Sequence, residues 1–556
     1  MFDFAGLRRD MSLTATGGGT GDMDSFDYDI AVIGRGPVGL TMAMSAAQHG
    51  MKTAVIEKHR DLYGLPRAGH VDHEIMRLFQ KFGIVDDVLA DCYPTTEYVW
   101  VNAHGETLLE FDWGETSVSG YNSDYMQFQP VFENALGRKL AAAPSNTDFL
   151  GWQLVSFEEA GGGVRCTIAR TETAPGSHVP VVTDETQTFT ARFLVACDGA
   201  NSSVRQTLGI ERDDLGFNEK WLVIDARKKR ELAFEFDCGQ ICDPRRPTTV
   251  LPLGKRHRRW EWAVLPGEDP QSLLTEEAAW RLLGELGMGP DDLEIVRQLV
   301  YTFEARHARE WRRGPVFLAG DAAHTMPPFM GQGMCSGMRD AVNLAWKMDL
   351  VRRGIASDAL LDTYEPERSP HTEAWTRISL EAGKVPCTLD PAQAEERDRK
   401  FRQGWLPPMP DFPQLRQGVI ARNAAGAPLH LAGTLSLQRR VETAGKVLLA
   451  DTVFGTGFTL LGLGFDPNEI LNPQQKEGLE RIGGSIVSVG DHGGGSARDA
   501  EGDYARWFEE QGICAVLTRP DFYLFGTAQT PADLGGLVDD LLSGLCLTAA
   551  AEASAT

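Results

Sequence analysis

Residues 28–39 read YDIAVIGRGPVG, and this stretch decides the fold. Tyr28 to Ile33 is a short apolar run without polar alternation, the pattern of a strand buried on both faces in a parallel sheet. It leads into Gly34-Arg35-Gly36-Pro37-Val38-Gly39, where glycines recur as G-x-G-x-x-G. In that spacing the first glycine permits a tight turn and the second lets a pyrophosphate approach the backbone. The third lets helix and strand pack closely. An Ala/Met-rich helix is predicted from about Pro37 to His49, stopped by Gly50, and a second strand over 52–57 (KTAVIE). The unit is a right-handed strand–helix–strand crossover whose helix N-terminus faces the phosphates. Glu57, with Lys58 after it, ends the second strand 23 residues beyond Gly34. That is near the ~20 at which a carboxylate meets ribose hydroxyls.

Two more apolar runs end in Asp/Gly turns, at 193–197 and 316–320. Between them, residues 221–300 alternate in the manner of WEWAVL (260–265), which predicts an antiparallel sheet inserted into the first domain. A helix is predicted over 338–353, with Met338, Ala341, Val342, Ala345 and Met348 on one stripe. The Pro-rich 406–413 (LPPMPDFP) separates this body from a small C-terminal α/β domain with strands near 446–451, 484–489 and 513–518 and a helix over 503–511. The expected layout is a flexible tail over 1–26 and a discontinuous dinucleotide domain over 27–97, 127–215 and 300–380. A substrate domain covers 98–126 and 216–299, a linker 381–425, and the C-terminal domain 426–550.

Bulk properties bound the function. The chain has 556 residues and a formal charge of −24. Binding driven by phosphate neutralisation needs excess Lys and Arg, so nucleic acid and anionic membranes are not expected partners. No apolar run reaches the ~18 residues that span a bilayer. The nine cysteines form no disulfide framework or zinc spacing, which points to reduced thiols in a cytoplasmic protein and to no metal. His70, Asp72, His73 and Glu74 cluster without zincin spacing; they read as a polar helix start, with His70 or Asp72 able to lie near a substrate. No G-x-S-x-G elbow supports a hydrolase.

The glycine fingerprint serves NAD and FAD alike. Three further motifs narrow it: Cys197-Asp198-Gly199 running to Arg205, Gly320-Asp321-Ala322-Ala323-His324, and Pro327-Pro328-Phe329-Met330-Gly331-Gln332-Gly333-Met334. Over about residues 28–368 the chain resembles the class A FAD-dependent aromatic monooxygenases, and within them the 3-(3-hydroxyphenyl)propionate hydroxylases. Pro66-Arg67-Ala68 and Ser336-Gly337-Met338-Arg339-Asp340-Ala341 add to the likeness. The fold it implies is α/β and para-hydroxybenzoate hydroxylase-like: a Rossmann-type FAD domain with an inserted antiparallel substrate domain. Residues 519–526 (RPDFYLFG) resemble a thioredoxin-like C-terminal domain that lacks C-x-x-C, suited to packing or to subunit contact in a homodimer.

The resemblance also implies roles. Gly34, Gly36, Pro37, Val38, Gly39, Glu57 and Lys58 would hold the adenosine and pyrophosphate end of FAD. Asp321, beside Gly320, would accept a ribityl hydroxyl, and Pro328 with Gly331, Gln332, Gly333 and Met334 would meet the flavin edge that turns anionic on reduction. Arg67 and Gln129 match FAD contacts, Asp198 and Gly199 lie toward the nicotinamide path, and His324 braces the Asp321 turn. The implied reaction is hydroxylation of a small phenol by NADH or NADPH and O2 through a flavin C4a-hydroperoxide. A larger polyketide, quinone or antibiotic ring is the alternative substrate. No catalytic base is identified by any motif.

Overall fold

The computed structural model describes residues 26–61, 64–174, 179–407, 411–490 and 496–548. Residues 1–25 of the expected tail therefore lie outside the described residues. β1 (Tyr28–Ile33), α1 (Pro37–Gln48) and β2 (Thr53–Glu57) form the crossover that the glycine spacing implies. β1 lies between β2 and the strand Val181–Ala196, parallel to both. Val316–Leu318 and Asn146–Leu150 extend the sheet in parallel on either side. Ile30, Ala31, Val32, Val55, Leu194 and Val195 are fully buried, as strands covered on both faces require.

Two glycines explain how α1 meets the long helix Gln332–Arg352. A Cβ on Gly320 would lie 2.8 Å from Val38 Cγ2, and one on Gly337 would lie 2.8 Å from the Gly320 Cα. Only bare backbone fits where the turn and both helices converge.

The inserted segments form one further sheet. Its order runs His324–Thr325, Leu293–Ala308, Arg212–Lys228, His257–Ala263, Thr248–Leu253, Gly239–Cys242, Glu97–Asn102, Thr107–Asp112. Pairing is antiparallel throughout except where Gly239–Cys242 runs parallel to Glu97–Asn102. A small ribbon joins the two sheets: β3 (His70–Asp72) pairs antiparallel with Asp124–Met126, and α2 (His73–Phe82) follows it. Alternation along the ribbon places Val71 against the core of the first domain and turns His70, Asp72, Asp124 and Met126 toward a cavity.

In the C-terminal domain Thr459–Leu463 pairs parallel with Ser485–Val489 and antiparallel with Ala515–Thr518, which pairs antiparallel with Leu524–Ala528. Helices Pro473–Arg481, Asp503–Gln511 and Leu534–Gly544 complete a thioredoxin-like βαβ unit followed by a hairpin and helix. The expected linker over 381–425 differs from what is found. Its first residues finish the helix Tyr364–Lys384, Pro391–Arg402 is helical, and Leu415, Val419, Ile420 and Ala421 are buried in the C-terminal core. Pro-rich composition marked a break in regular structure, but the apolar residues beyond Pro413 bury themselves like any core segment.

Candidate active site

One cavity of about 1930 Å³ opens between the two sheets and reaches the C-terminal domain. Pockets for a single drug-sized ligand run to roughly 300–1,000 Å³, so this one has room for a cofactor and a substrate together. Two helices point their N-termini into it. The N-cap of α1 is Gly36 and that of Gln332–Arg352 is Gly331, and neither end carries a side-chain cap. The first N–H groups of both helices are therefore open donors, backed by the positive end of each helix dipole.

The glycines at these ends are sterically required. Gly34 has φ +97°, and a Cβ there would lie 2.4 Å from the Cys197 carbonyl oxygen. A Cβ on Gly39 would lie 1.9 Å from the Gly34 carbonyl oxygen. Gly331 has φ +63°, and its Cβ would fall 2.4 Å from His70 Nδ1.

Of the residues expected to touch the cofactor, Gly36, Pro37, Val38, Arg67, Gln129 and Gly199 line the cavity. So do Asp321, Pro328, Gly331, Gln332, Gly333 and Met334. Gly34, Gly39, Glu57, Lys58, Asp198 and Gly320 are not in its wall. Glu57 Oε2 accepts the Arg35 N–H at 2.9 Å and Oε1 the His59 N–H at 3.0 Å, which ties the tip of β2 to the glycine turn. Asp198 Oδ2 accepts from Ser203 N at 2.8 Å, Ser203 Oγ at 3.2 Å and Val204 N at 3.3 Å, so this carboxylate caps the turn after its strand. The space beside Gly320 is taken by Val38.

Gln129 holds a loop. Its Oε1 accepts from Arg67 N at 3.1 Å and Ala68 N at 2.7 Å, and its Nε2 donates to Glu133 at 2.8 Å. Arg259 grips the same loop from the second sheet, donating to the Arg67 carbonyl at 2.7 Å and the Pro66 carbonyl at 3.0 Å while paired with Asp225. Asp321 faces the cavity and accepts no hydrogen bond from the described residues. Protein packed on its other sides raises its pKa above the usual carboxylate range, against the pull of His324, Arg67 and Arg212. His324 does brace this turn: its Nε2 lies 2.7 Å from Asp340 Oδ2, which also accepts the Gly320 N–H at 3.1 Å.

Beyond the start of Gln332–Arg352 the cavity becomes an aromatic chamber. Tyr98 and Trp113 stack at 4.9 Å, Trp100 meets Phe111 edge-on at 5.6 Å, and Trp113 sits 5.9 Å from the His70 ring. His70 Nε2 lies 2.6 Å from Asp124 Oδ1, and His70 Nδ1 lies 3.3 Å from the Gly331 carbonyl oxygen. Asp72, placed by sequence at a helix start, caps α2 through Glu74 N and Ile75 N, each at 3.1 Å. It also fixes Gln332, whose Nε2 donates to it at 3.0 Å, and Arg339 pairs with Asp72 and Glu74. Asp124, Tyr98, Trp113 and Arg259 carry no motif and escaped the sequence reading. Only the pairing of β3 with a strand some fifty residues on brings Asp124 to His70.

Open donors at two helix ends, a backbone cleared by glycine and a carboxylate without a partner suit a dinucleotide flavin: phosphates for one end, an electron-rich ring edge for the other, sugar hydroxyls for the acid. The fold and site thus define an FAD-dependent oxidoreductase whose cavity continues into an aromatic chamber. Residues 27–379 match the FAD binding domain family, and residues 433–544 match the HcaD C-terminal domain. The chain is 34% identical over 524 residues to the probable NADH-specific resorcinol 4-hydroxylase of Rhodococcus jostii (strain RHA1), covering 93% of this chain and 95% of that one. It is 32% identical over 544 residues to the 3-(3-hydroxy-phenyl)propionate/3-hydroxycinnamic acid hydroxylase of Escherichia coli (strain SMS-3-5 / SECEC), at the same coverages of 93% and 95%. Aklavinone-11 hydroxylase, solved with FAD and aklavinone, shares the fold at TM-score 0.73 and 24% identity, over 94% of this chain and all of that one. The chain belongs to the class A FAD-dependent aromatic monooxygenases, with FAD as its cofactor.

Proposed function

We propose that this protein hydroxylates a small, uncharged phenol with NADH and dioxygen. The observation that carries the reading is the aromatic chamber and its charge. The cations around it are each matched: Arg259 with Asp225 and Glu261, Arg297 with Asp225, Arg339 with Asp72 and Glu74, Lys384 with Glu381. Glu110, Asp112 and Glu115 line the same space. A neutral ring stacks there at little cost, whereas the carboxylate of an arylpropionate enters a field of its own sign. Resorcinol, named for the Rhodococcus relative, fits better than 3-(3-hydroxyphenyl)propionate, and NADH follows from the same relative.

FAD, when bound, supplies hydride acceptance and oxygen transfer. The chain's own contribution is placement and dryness. The N-terminus of α1 holds the pyrophosphate and Asp321 accepts a sugar-chain hydroxyl. Backbone N–H groups of Gln332 and Gly333 steady the ring edge that gains charge on reduction. Gln129 and Arg259 fix the loop carrying Arg67, and the stacked rings of the chamber exclude water from the reacting atoms.

The test is substrate-dependent NADH oxidation with product recovery. Resorcinol should be turned over with a higher kcat/KM than 3-(3-hydroxyphenyl)propionate, by about tenfold or more, the effect of one unmatched charge costing ~1.4 kcal/mol. An arylpropionate turned over as well, or oxidation that yields only peroxide, would overturn the reading. The volume of 1930 Å³ favours a second reading, a polycyclic substrate, and turnover of a fused-ring phenol in preference to resorcinol would establish it.

A further inference from the structure

His70 and Asp124 form a pair that no sequence motif marks and that none of the cofactor-holding roles uses. The ribbon register builds it: β3 and Asp124–Met126 pair with Asp72 opposite Asp124, so His70 lies diagonally across from Asp124 on the same face. Both ring nitrogens of His70 face oxygen. Nε2 lies 2.6 Å from Asp124 Oδ1, and Nδ1 lies 3.3 Å from the Gly331 carbonyl. A neutral imidazole has one donor and one acceptor nitrogen, so two acceptor partners select the doubly protonated ring. Burial alone would pull the His70 pKa down, but the hydrogen bond and charge of Asp124 hold it well above the ordinary value. His70 is thus an imidazolium, set against the residue that begins the helix facing the flavin edge.

Asp124 uses only Oδ1 in this contact. Its Oδ2 accepts no hydrogen bond from the described residues, and its side chain is 22% exposed, toward the aromatic chamber. A ring stacked near Trp113 can therefore present a hydroxyl to a carboxylate oxygen with a fixed positive charge beside it. We propose that Asp124 is the residue that takes the phenolic proton of the substrate and that His70 is the positive charge that holds the resulting phenolate. The O–H bond breaks, the proton passes to Asp124 Oδ2, and the electron pair stays on the phenol oxygen and activates the ring. When the hydroxylated ring regains aromaticity, its C–H bond breaks and that proton goes to the dioxygen-derived oxygen that leaves as water, while the proton on Asp124 returns to the product oxygen. The pair, neutral overall before and after, needs no other reactant. This rests on the phenol reading above.

Other charged or titratable groups around the pair are Asp72 and His73 on β3 and α2, Cys335 and Arg339 on Gln332–Arg352, and Cys238 from the second sheet. Asp72 and Arg339 are matched to each other. Burial keeps His73 below its ordinary pKa and both thiols above theirs, so these three stay neutral near pH 7 and do not compete for the phenolic proton.

The test reads ionisation directly. 4-Nitrophenol, whose phenolate absorbs at longer wavelength than the phenol, is bound to the FAD-loaded enzyme without NADH and titrated with pH. The native enzyme should ionise it at lower pH than water does. Asp124→Asn should lower that midpoint, because it removes a like charge beside the phenolate, and should lower kcat for resorcinol by about 100-fold, the ordinary worth of a positioned acid or base. KM should change little, and Asp124→Glu should recover part of kcat. His70→Gln should raise the midpoint, because it removes the positive charge that favours the phenolate, and it supplies a reading if the Asn variant does not fold. A native enzyme that binds 4-nitrophenol but leaves its ionisation as in water overturns the assignment. A native enzyme that binds no phenol at all removes the phenol reading with it. Equal midpoints in native and Asp124→Asn enzymes remove the assignment of Asp124 alone.

Discussion

Two polar regions of this molecule, one buried and one facing the cavity, are built on opposite terms. Where the C-terminal domain meets Gln332–Arg352, each charge has its opposite beside it. Arg519 pairs with Glu367 and Asp521, each at 2.6 Å, Lys347 lies 2.9 Å from Glu367, and Asn343 donates to Glu367 and Asp521 at 2.7 and 2.8 Å. At the cavity the arrangement among the described residues is left open: two helix N-termini without side-chain caps, Asp321 without a donor, Asp124 with one oxygen uncommitted. A group whose partners all come from the chain holds structure, and a group left unmatched inside a fold waits for a ligand. Removing a group should therefore cost folding stability in the first region and binding in the second.

The largest expected effect is at the interface. Glu367→Ala leaves Arg519 and Lys347 buried without their shared acid, and should lower unfolding free energy by about 3–5 kcal/mol, read from denaturant midpoints. The same contact predicts an acid transition. Burial alone would raise the Glu367 pKa, but Arg519 and Lys347 outweigh it and hold it at about 2, down from 4.5. A carboxyl with a depressed pKa contributes stability that is complete above pH 4.5 and is lost as pH falls toward 2. The difference of 4.5 − 2 = 2.5 units amounts to on the order of 3 kcal/mol. Glu367→Gln should flatten stability across that window. If the profile of the Gln variant keeps the native slope, the interface is not where the acid sensitivity lies.

The second effect belongs to the cavity. Asp321→Asn should not lower the stability of the flavin-free protein, because none of the described residues loses a hydrogen bond and the charge that burial disfavours is removed. It should weaken FAD by about 10- to 100-fold, the worth of one charge-assisted hydrogen bond at ~1.5–3 kcal/mol. Fluorescence titration of the apoprotein with FAD reads this. Unchanged affinity would move Asp321 out of the binding site and into the class of Glu367.

The same contrast explains what could be read from sequence. β1, α1 and β2 were legible because their determinants are local: a strand's apolar run, then glycines at fixed offsets. Asp321, Gly331 and Gln332 stand in short turns fixed by local sequence, and all three line the cavity. The helix Gln332–Arg352 begins six residues before its predicted start, since Gly333 and Gly337 interrupt the apolar stripe; Gly337 is there for close approach to Gly320. The strands Val181–Ala196 and Leu293–Ala308 were read only in part, because their outer halves are exposed and carry no alternation. Asp124 and Arg259 were not legible at all, since their roles arise from strand pairing and loop contact across the two sheets. Phe522 and Arg519 stood in a recognised stretch, but only the packed structure shows Phe522 inserted in the core of the FAD domain.

Asp198 gives the smallest and most discriminating case, because family likeness and geometry assign it to different regions. By likeness it lies toward the cofactor; in the structure Oδ2 caps the turn through Ser203 and Val204, and Cys197, Gly199 and Ala200 line the cavity while Asp198 does not. Its Oδ1 is buried without a partner among the described residues, which offsets part of what the cap contributes. Asp198→Ala should then cost about 1 kcal/mol of stability, the usual value of a side-chain cap, with FAD affinity within about twofold of native. A thermal melt and a flavin titration on the same variant decide it. Lost affinity at unchanged melting temperature would return Asp198 to the cavity and show that Oδ1, like Asp124 Oδ2, is kept free for a ligand.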